Sequence, residues 1–236
     1  MAKIHLLSGG AAQGLVSRLQ ARFTSETGLD IEAHFDAVGM IRDRLQAGAP
    51  CDVIILTGAL IAQLTASGHI AAGSARPLGR VKTGIAVKDG VTPPPVATAA
   101  QLKQALLSAN AIYFPDPLRA TAGIHFMRVL KQLDLENELA NSLHPYPNGA
   151  MAMQAMAEAT GTGLIGCTQV TEILYAAGVQ LVAPLPFEFE LATTYTAAAG
   201  SRAARTQAAH ALIELLASPD TASLRLACGF EPSNPD

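Results

Sequence analysis

Four short segments of this sequence could hold an anion. They are Ser8-Gly9-Gly10-Ala11, the stretch Asp36 to Gly39 that contains Val38, Asp116 to Gly123, and Tyr146 to Gly149. Each follows an apolar run and precedes a helix-like pattern, so each stands where a strand gives way to a helix. The first amides of a helix have no partner within it and carry a partial positive charge, which attracts anions. Glycines in such loops let the backbone approach a ligand closely. Around them stand polar side chains suited to direct contact: Ser8, Thr57, Arg119, Thr121, Asn148, Thr168 and Gln169, with Gly9, Gly10, Ala11, Val38, Gly39 and Ala122 offering backbone amides. Arg119 has the geometry to grip a carboxylate with two parallel hydrogen bonds. A proton-transferring group would come from His125, Asp116, Cys167 or Tyr195. Each has a structural alternative: Arg119 as a solvated loop residue, Asn148 as a helix cap beside Gly149, Asp116 as an acceptor for loop amides.

Other chemistries lack their residues. The six histidines (5, 34, 69, 125, 144 and 210) pair neither with each other nor with a cysteine at a zinc-ligand spacing, so no metal is expected. Cys51, Cys167 and Cys228 are widely spaced and read as small buried hydrophobes. No GxSxG, Walker A or GxGxxG pattern occurs, and no cofactor is expected. A net charge of −3 without a basic block excludes a nucleic-acid footprint. No apolar run reaches the roughly 18 residues of a membrane span. Half the residues are hydrophobic and 15% are charged, against roughly 25% in an average domain, which places most of the chain in a packed core. The start, Met1-Ala2-Lys3-Ile4-His5, shows no secretory leader. A cytoplasmic location is the expectation, with a periplasmic one if a leader has been removed.

The elements that must position these residues alternate. Strands are expected at Ile4–Leu7, Ile31–Phe35, Asp52–Leu56, Thr83–Val87, Ala111–Phe114, Gly163–Cys167 and Val179–Pro184. Helices are expected near 11–27, 38–47, 58–67, 99–108, 122–133, 150–159 and 203–217. The stretch Phe187–Ala198 alternates and could carry the chain back to its first part. Strands interleaved with helices imply an α/β chain with doubly wound sheets, whose ligands bind outside the carboxyl ends of the strands.

Taken together, several segments resemble the molybdate-binding proteins of ABC transporters. They are Leu6–Leu15, Glu26–Ile31, Leu45–Val53 with its Ala47-Gly48-Ala49-Pro50, Asp116-Pro117 followed by Thr121-Ala122-Gly123, Gly163–Gly166, and Gly229-Phe230. The resemblance implies a type II periplasmic-binding-protein fold with mixed sheets. It implies two lobes, 1–81 with 194–236 and 82–193, a hinge crossed twice, and closure on an anion in the interlobe cleft. In that family two serines and a tyrosine hydroxyl hold the oxyanion. Ala11, Val38 and Gly166 align with those positions here, so tight molybdate binding is not expected, and Gly166 is expected to widen the pocket. The resemblance extends to a branch like aconitate isomerase. The expected function is binding of a small carboxylate or oxyanion, with an enzymatic proton shift on a polycarboxylate. The alternative is a solute receptor that serves an ABC permease if exported. A cytoplasmic ligand sensor ranks third.

Overall fold

Periodicity in the sequence becomes alternating strands and helices in the computed structural model, which describes residues 2–232. In chain order the elements are β1 (Lys3–Gly9), α1 (Gln13–Thr27), β2 (Asp30–Asp36), α2 (Val38–Gln46), β3 (Val53–Thr57), α3 (Gly58–Ala66), β4 (Arg76–Lys88), α4 (Ala99–Leu107) and β5 (Ala111–Pro115). There follow α5 (Thr121–Gln132), β6 (Leu143–Tyr146), α6 (Gly149–Glu158), β7 (Leu164–Gln169), α7 (Val170–Tyr175), β8 (Val179–Pro184), β9 (Ala192–Ala199), α8 (Thr206–Ala217) and α9 (Ala222–Ala227). The chain divides into two units, residues 1–81 with 193–236 and residues 82–192.

Unit 1 is built on the strand order β2-β1-β3-β9. Strands β2 and β3 flank β1 in parallel, and β9 runs antiparallel to β3. All five residues of β3 are buried, as expected of a strand covered on both faces. Leu15, Leu19 and Phe23 of α1 and Leu212, Ile213 and Leu216 of α8 pack into this core. Asp52, just before β3, is buried with both oxygens used: Oδ2 accepts from His5 N and Oδ1 from Arg205 N, each at 2.9 Å.

Unit 2 has the order β4-β7-β5-β6, with β8 also paired to β4. Strand β5 is parallel to β6 and β7, and β4 is antiparallel to β7. Side chains alternate across the sheet. Ile165 and Cys167 of β7 join one apolar cluster with α4 and α5, through Leu102, Leu106, Phe126 and Leu130. Leu164 joins the other, with Ala152, Met153 and Met156 of α6 and Ile173 of α7. Each fully buried side chain of this size contributes about 1.5–3 kcal/mol over its exposed state.

Only part of the alternating stretch Phe187–Ala198 is strand. Residues 187–189 form a 3-10 turn after Pro186, and β9 begins only at Ala192. Proline supplies no N–H for pairing, and Phe187 is 89% exposed, so the apparent alternation there follows no buried face. The sequence pattern also gave no sign of β6, α7 or α9. These elements are four to six residues long, shorter than two helical turns or three strand repeats.

Candidate functional site

In unit 2 the parallel strands β5, β6 and β7 end at one edge of the sheet, and α5, α6 and α7 start there. That is the edge where ligands bind in doubly wound sheets. Asp116 lies just beyond β5; its Oδ1 accepts from Leu118 N at 2.7 Å and Arg119 N at 2.9 Å. Asp116 therefore shapes the turn, and Arg119 lies exposed on it. No side chain caps α5 at Ala120, and its first turn holds no acidic residue, so its dipole remains available to an anion. Thr121 is half-buried and Ala122 buried in that turn. At the start of α6, Asn148 Oδ1 accepts from Met151 N at 3.0 Å, the geometry of a helix N-cap.

A carboxylate that the sequence reading passed over sits behind this edge. Glu172, on the first turn of α7, is 6% exposed. It accepts from the hydroxyl of Thr168, and the backbone N–H groups of Gly149 and Gln169 favour its charged form. Burial pushes its carboxyl up to about 7, against the downward pull of those three groups. Gly149 has to be glycine: a Cβ there would stand 2.0 Å from Glu172 Oε2 and 2.1 Å from Thr168 Oγ1. The signal for Glu172 in the sequence was a single acid in the otherwise uncharged stretch from Gly163 to Tyr175, and such an acid, when buried, must find donors or neutralise.

On the other face of β7 the polar groups lack protein partners. Gln169 is 3% exposed, yet neither atom of its carboxamide has a hydrogen-bond partner among the described residues. The same holds for the hydroxyls of Thr83 and Thr171. Thr83 and Gln169 are directly opposite in the β4–β7 register, so their side chains share a face. That face is the one α5 covers, since Gln169 alternates with Thr168 and falls in step with Cys167 and Ile165. A buried amide with a free donor and a free acceptor is costly unless something bonds to it.

The other candidates lie in packed or bonded positions. Cys167 is fully buried beside Ile85 and Ile165, and burial pushes its thiol far above the usual range, so it cannot act as a base. His125 donates from Nε2 to the Phe189 carbonyl at 2.8 Å, tying α5 to the turn at 187–189. Gly166 opens no pocket. A Cβ there would meet the Met153 thioether, with Cε at 2.6 Å and Sδ at 2.9 Å, so the glycine admits Met153 to the sheet.

Unit 1 presents a different strand edge. Ser8 is fully buried and donates to the Gly9 carbonyl at 2.8 Å. Thr57 accepts from Leu60 N and caps α3. Ala11, Val38 and Tyr195 are buried in the core, and a Cβ on Gly9 would meet Val38 Cγ1 at 2.9 Å and Tyr195 Cε1 at 3.3 Å. Gly10 starts a 3-10 turn, and Gly39 is half-buried in the first turn of α2, which no side chain caps. The hydroxyls of Ser8 and Thr57 thus bond to the backbone, and the first turns of the helices here offer main-chain amides to a ligand.

Among the described residues no group of histidines, cysteines and acids is arranged to hold a metal ion. No helix among the described residues is long and apolar enough to cross a membrane. A cavity of about 490 Å³ opens in unit 2 beside Val87, Pro94, Pro95, Ala105, Leu164 and Ile165. It adjoins the amino end of β7, away from Glu172 and Gln169, and its walls are mostly apolar.

Residues 4–231 match the family described as bacterial extracellular solute-binding protein. A curated relative, aconitate isomerase from a Pseudomonas species, is 28% identical over 236 residues, 96% of this chain and 87% of the relative. Among solved structures, the periplasmic molybdate-binding protein of Azotobacter vinelandii superposes with a TM-score of 0.80 at 17% identity, covering 99% of this chain and all of the other. The substrate-binding domain of a putative molybdenum ABC transporter from Clostridium difficile gives 0.69 at 13%, with the same coverage. A periplasmic thiamin-binding protein gives 0.72 at 14%, covering 99% of this chain and 84% of the other. At such identities a likeness establishes the fold alone. The chain belongs to the bacterial extracellular solute-binding protein family and has the type II periplasmic-binding-protein fold of the molybdate-binding proteins.

Proposed function

We propose that this chain binds a small di- or tricarboxylate and moves a proton along it, as an aconitate-isomerase-like enzyme. The similarity to aconitate isomerase, which runs through nearly the whole chain, carries this reading. The strand edges support it. Ser8 and Thr57 spend their hydroxyls on the backbone, and Ala11 and Val38 have none. Unit 2 instead holds an unpartnered carboxamide at Gln169, facing α5. An amide N–H and a helix N-terminus suit a planar carboxylate, and the same dipole would stabilise charge that develops when a neighbouring C–H is deprotonated. An allylic isomerisation requires no redox partner: one C–H bond breaks, the double bond shifts, and a C–H bond forms at the far carbon. Asp116 and His125 remain the candidates nearest the start of α5, and each already bonds to backbone.

The test incubates the protein with cis- or trans-aconitate in heavy water and follows the products by NMR. Isomerisation with deuterium uptake at carbon is the expected result. Tight reversible binding with neither would move the assignment to a solute receptor. That second reading has its own support, because the family is extracellular and a molybdenum transporter's binding domain shares the fold. An ABC permease would then be the partner. Membership of this family favours the periplasmic alternative over the cytoplasmic one.

A further inference from the structure

We infer that unit 2 takes up its anionic ligand together with a proton, and that Glu172, fixed between Thr168, Gly149 and Gln169, is the group that carries this proton. The inference rests on the reading that an anion binds at the Gln169 edge, and adds how that binding is controlled. Two independent features point to it. One is the unpartnered, buried carboxamide of Gln169, which marks where a ligand bonds. The other is the enclosure of the Glu172 carboxylate by the hydroxyl of Thr168, the residue next to Gln169 on β7, and by Gly149, which sets a buried acid beside the strand end that carries the ligand contact.

The distances make the two charges interact. From the Gln169 amide nitrogen the carboxamide reaches about 5 Å, and a bonded ligand atom lies about 3 Å further. An anion there stands roughly 8–10 Å from the Glu172 carboxylate, across protein interior. At that range two like charges disfavour each other by on the order of tenfold in an equilibrium constant. Binding an anion therefore raises the proton affinity of Glu172, and protonating Glu172 strengthens anion binding by the same factor. The carboxyl already titrates near neutrality, so the coupling falls in an accessible window.

Among the elements around α7, β4 meets Val170 at Gly84 and carries Lys82, paired with Glu190 at 2.9 Å, and Lys88, bonded to the Ala159 carbonyl at 2.6 Å. Strand β8 has none, and β7 has only the buried Cys167. Helix α6 has Glu158 at its far end, exposed and bonded by Gln154 at 2.9 Å. Tyr175, on α7 itself, is exposed. Beyond α6, β5 and β6 bring Tyr113, His144 and Tyr146, whose rings stack at 5.3 and 5.9 Å. His144 is the group that could imitate the effect.

The experiment is titration calorimetry of the full chain from pH 6 to pH 9 with trans-aconitate, citrate, molybdate and sulfate, in two buffers of different ionisation enthalpy. The expected result is an affinity that falls on the order of tenfold as pH rises through 7 to 8, with up to one proton taken up. Glu172→Gln flattens the slope and abolishes the uptake, and His144→Asn leaves both in place. Thr168→Val keeps the carboxyl but removes a bond that favours its charged form, so the slope moves to higher pH. This variant decides the matter if Glu172→Gln does not fold. Binding of molybdate or sulfate alone, with this slope, would overturn the carboxylate reading and support proton coupling. A carboxylate bound with no slope, or with one that survives Glu172→Gln, would overturn proton coupling alone. No binding by any of the four anions would overturn both.

Discussion

The two units end their parallel strands in the same way and use the polar residues there differently. In unit 1 three buried polar side chains answer to the backbone: Ser8 to Gly9, Thr57 to Leu60, and Asp52 to His5 and Arg205. In unit 2 lie all the buried side-chain oxygens and nitrogens found without a partner among the described residues: Thr83, Gln169 and Thr171. Unit 2 also holds the buried acid that titrates near neutrality, Glu172. A satisfied polar group stabilises its unit. An unsatisfied one costs stability until something bonds to it, and is best explained by what it binds. The contrast assigns a mainly structural role to the side chains at the unit 1 edge and a ligand-facing role to those of unit 2.

The largest expected effect tests how tightly Glu172 is enclosed. Gly149→Ala drives a methyl group into the Glu172 carboxyl and Thr168 hydroxyl, so the α6 start must move or the acid must lose its donors. Urea unfolding should show a loss of about 3 kcal/mol or more. A loss under 1 kcal/mol would mean that the cluster is loose.

Next comes pH. The folded Glu172 carboxyl lies near 7, above its ordinary value of 4.5. A raised carboxyl contributes stability that is fully present below pH 4.5 and lost as pH rises through 7. Relative to Glu172→Gln, the wild type should lose on the order of 3 kcal/mol over that interval. Parallel stability curves for the two proteins would remove Glu172 from the account.

Asp52→Ala probes the other unit. It strips the acceptors from two amides, His5 N and Arg205 N, and should cost about 2–3 kcal/mol while leaving ligand affinity unchanged. The smallest effect has the opposite sign. Gln169→Leu replaces an unpartnered buried amide with an apolar side chain of similar size, and should stabilise the ligand-free protein by about 1 kcal/mol while weakening ligand binding more than tenfold. A variant that is both less stable and fully able to bind would reverse the roles given to the two units.

How much of this was legible depended on what reports a feature. Strand β3 announced itself as a continuous apolar run, and α5 as a repeat of apolar residues over three turns. Asn148 before Gly149 has the form of a helix cap and caps α6. These are local features, set by residues close in sequence. Glu172 could not be read that way, because its donors come from Gly149 as well as from its own strand and turn. Gly166 misled for the same reason: whether a missing side chain leaves space depends on Met153, thirteen positions earlier. The pair Thr83 and Gln169 is created by strand register, which no single segment encodes.

The contrast between the units is tested most directly by a crystal structure with trans-aconitate bound. The account predicts a ligand carboxylate oxygen within roughly 3.2 Å of the Gln169 carboxamide, with the hydroxyls of Ser8 and Thr57 still bonded to their own backbone. A ligand held by side chains of unit 1, with the Gln169 carboxamide still without a partner, would contradict it.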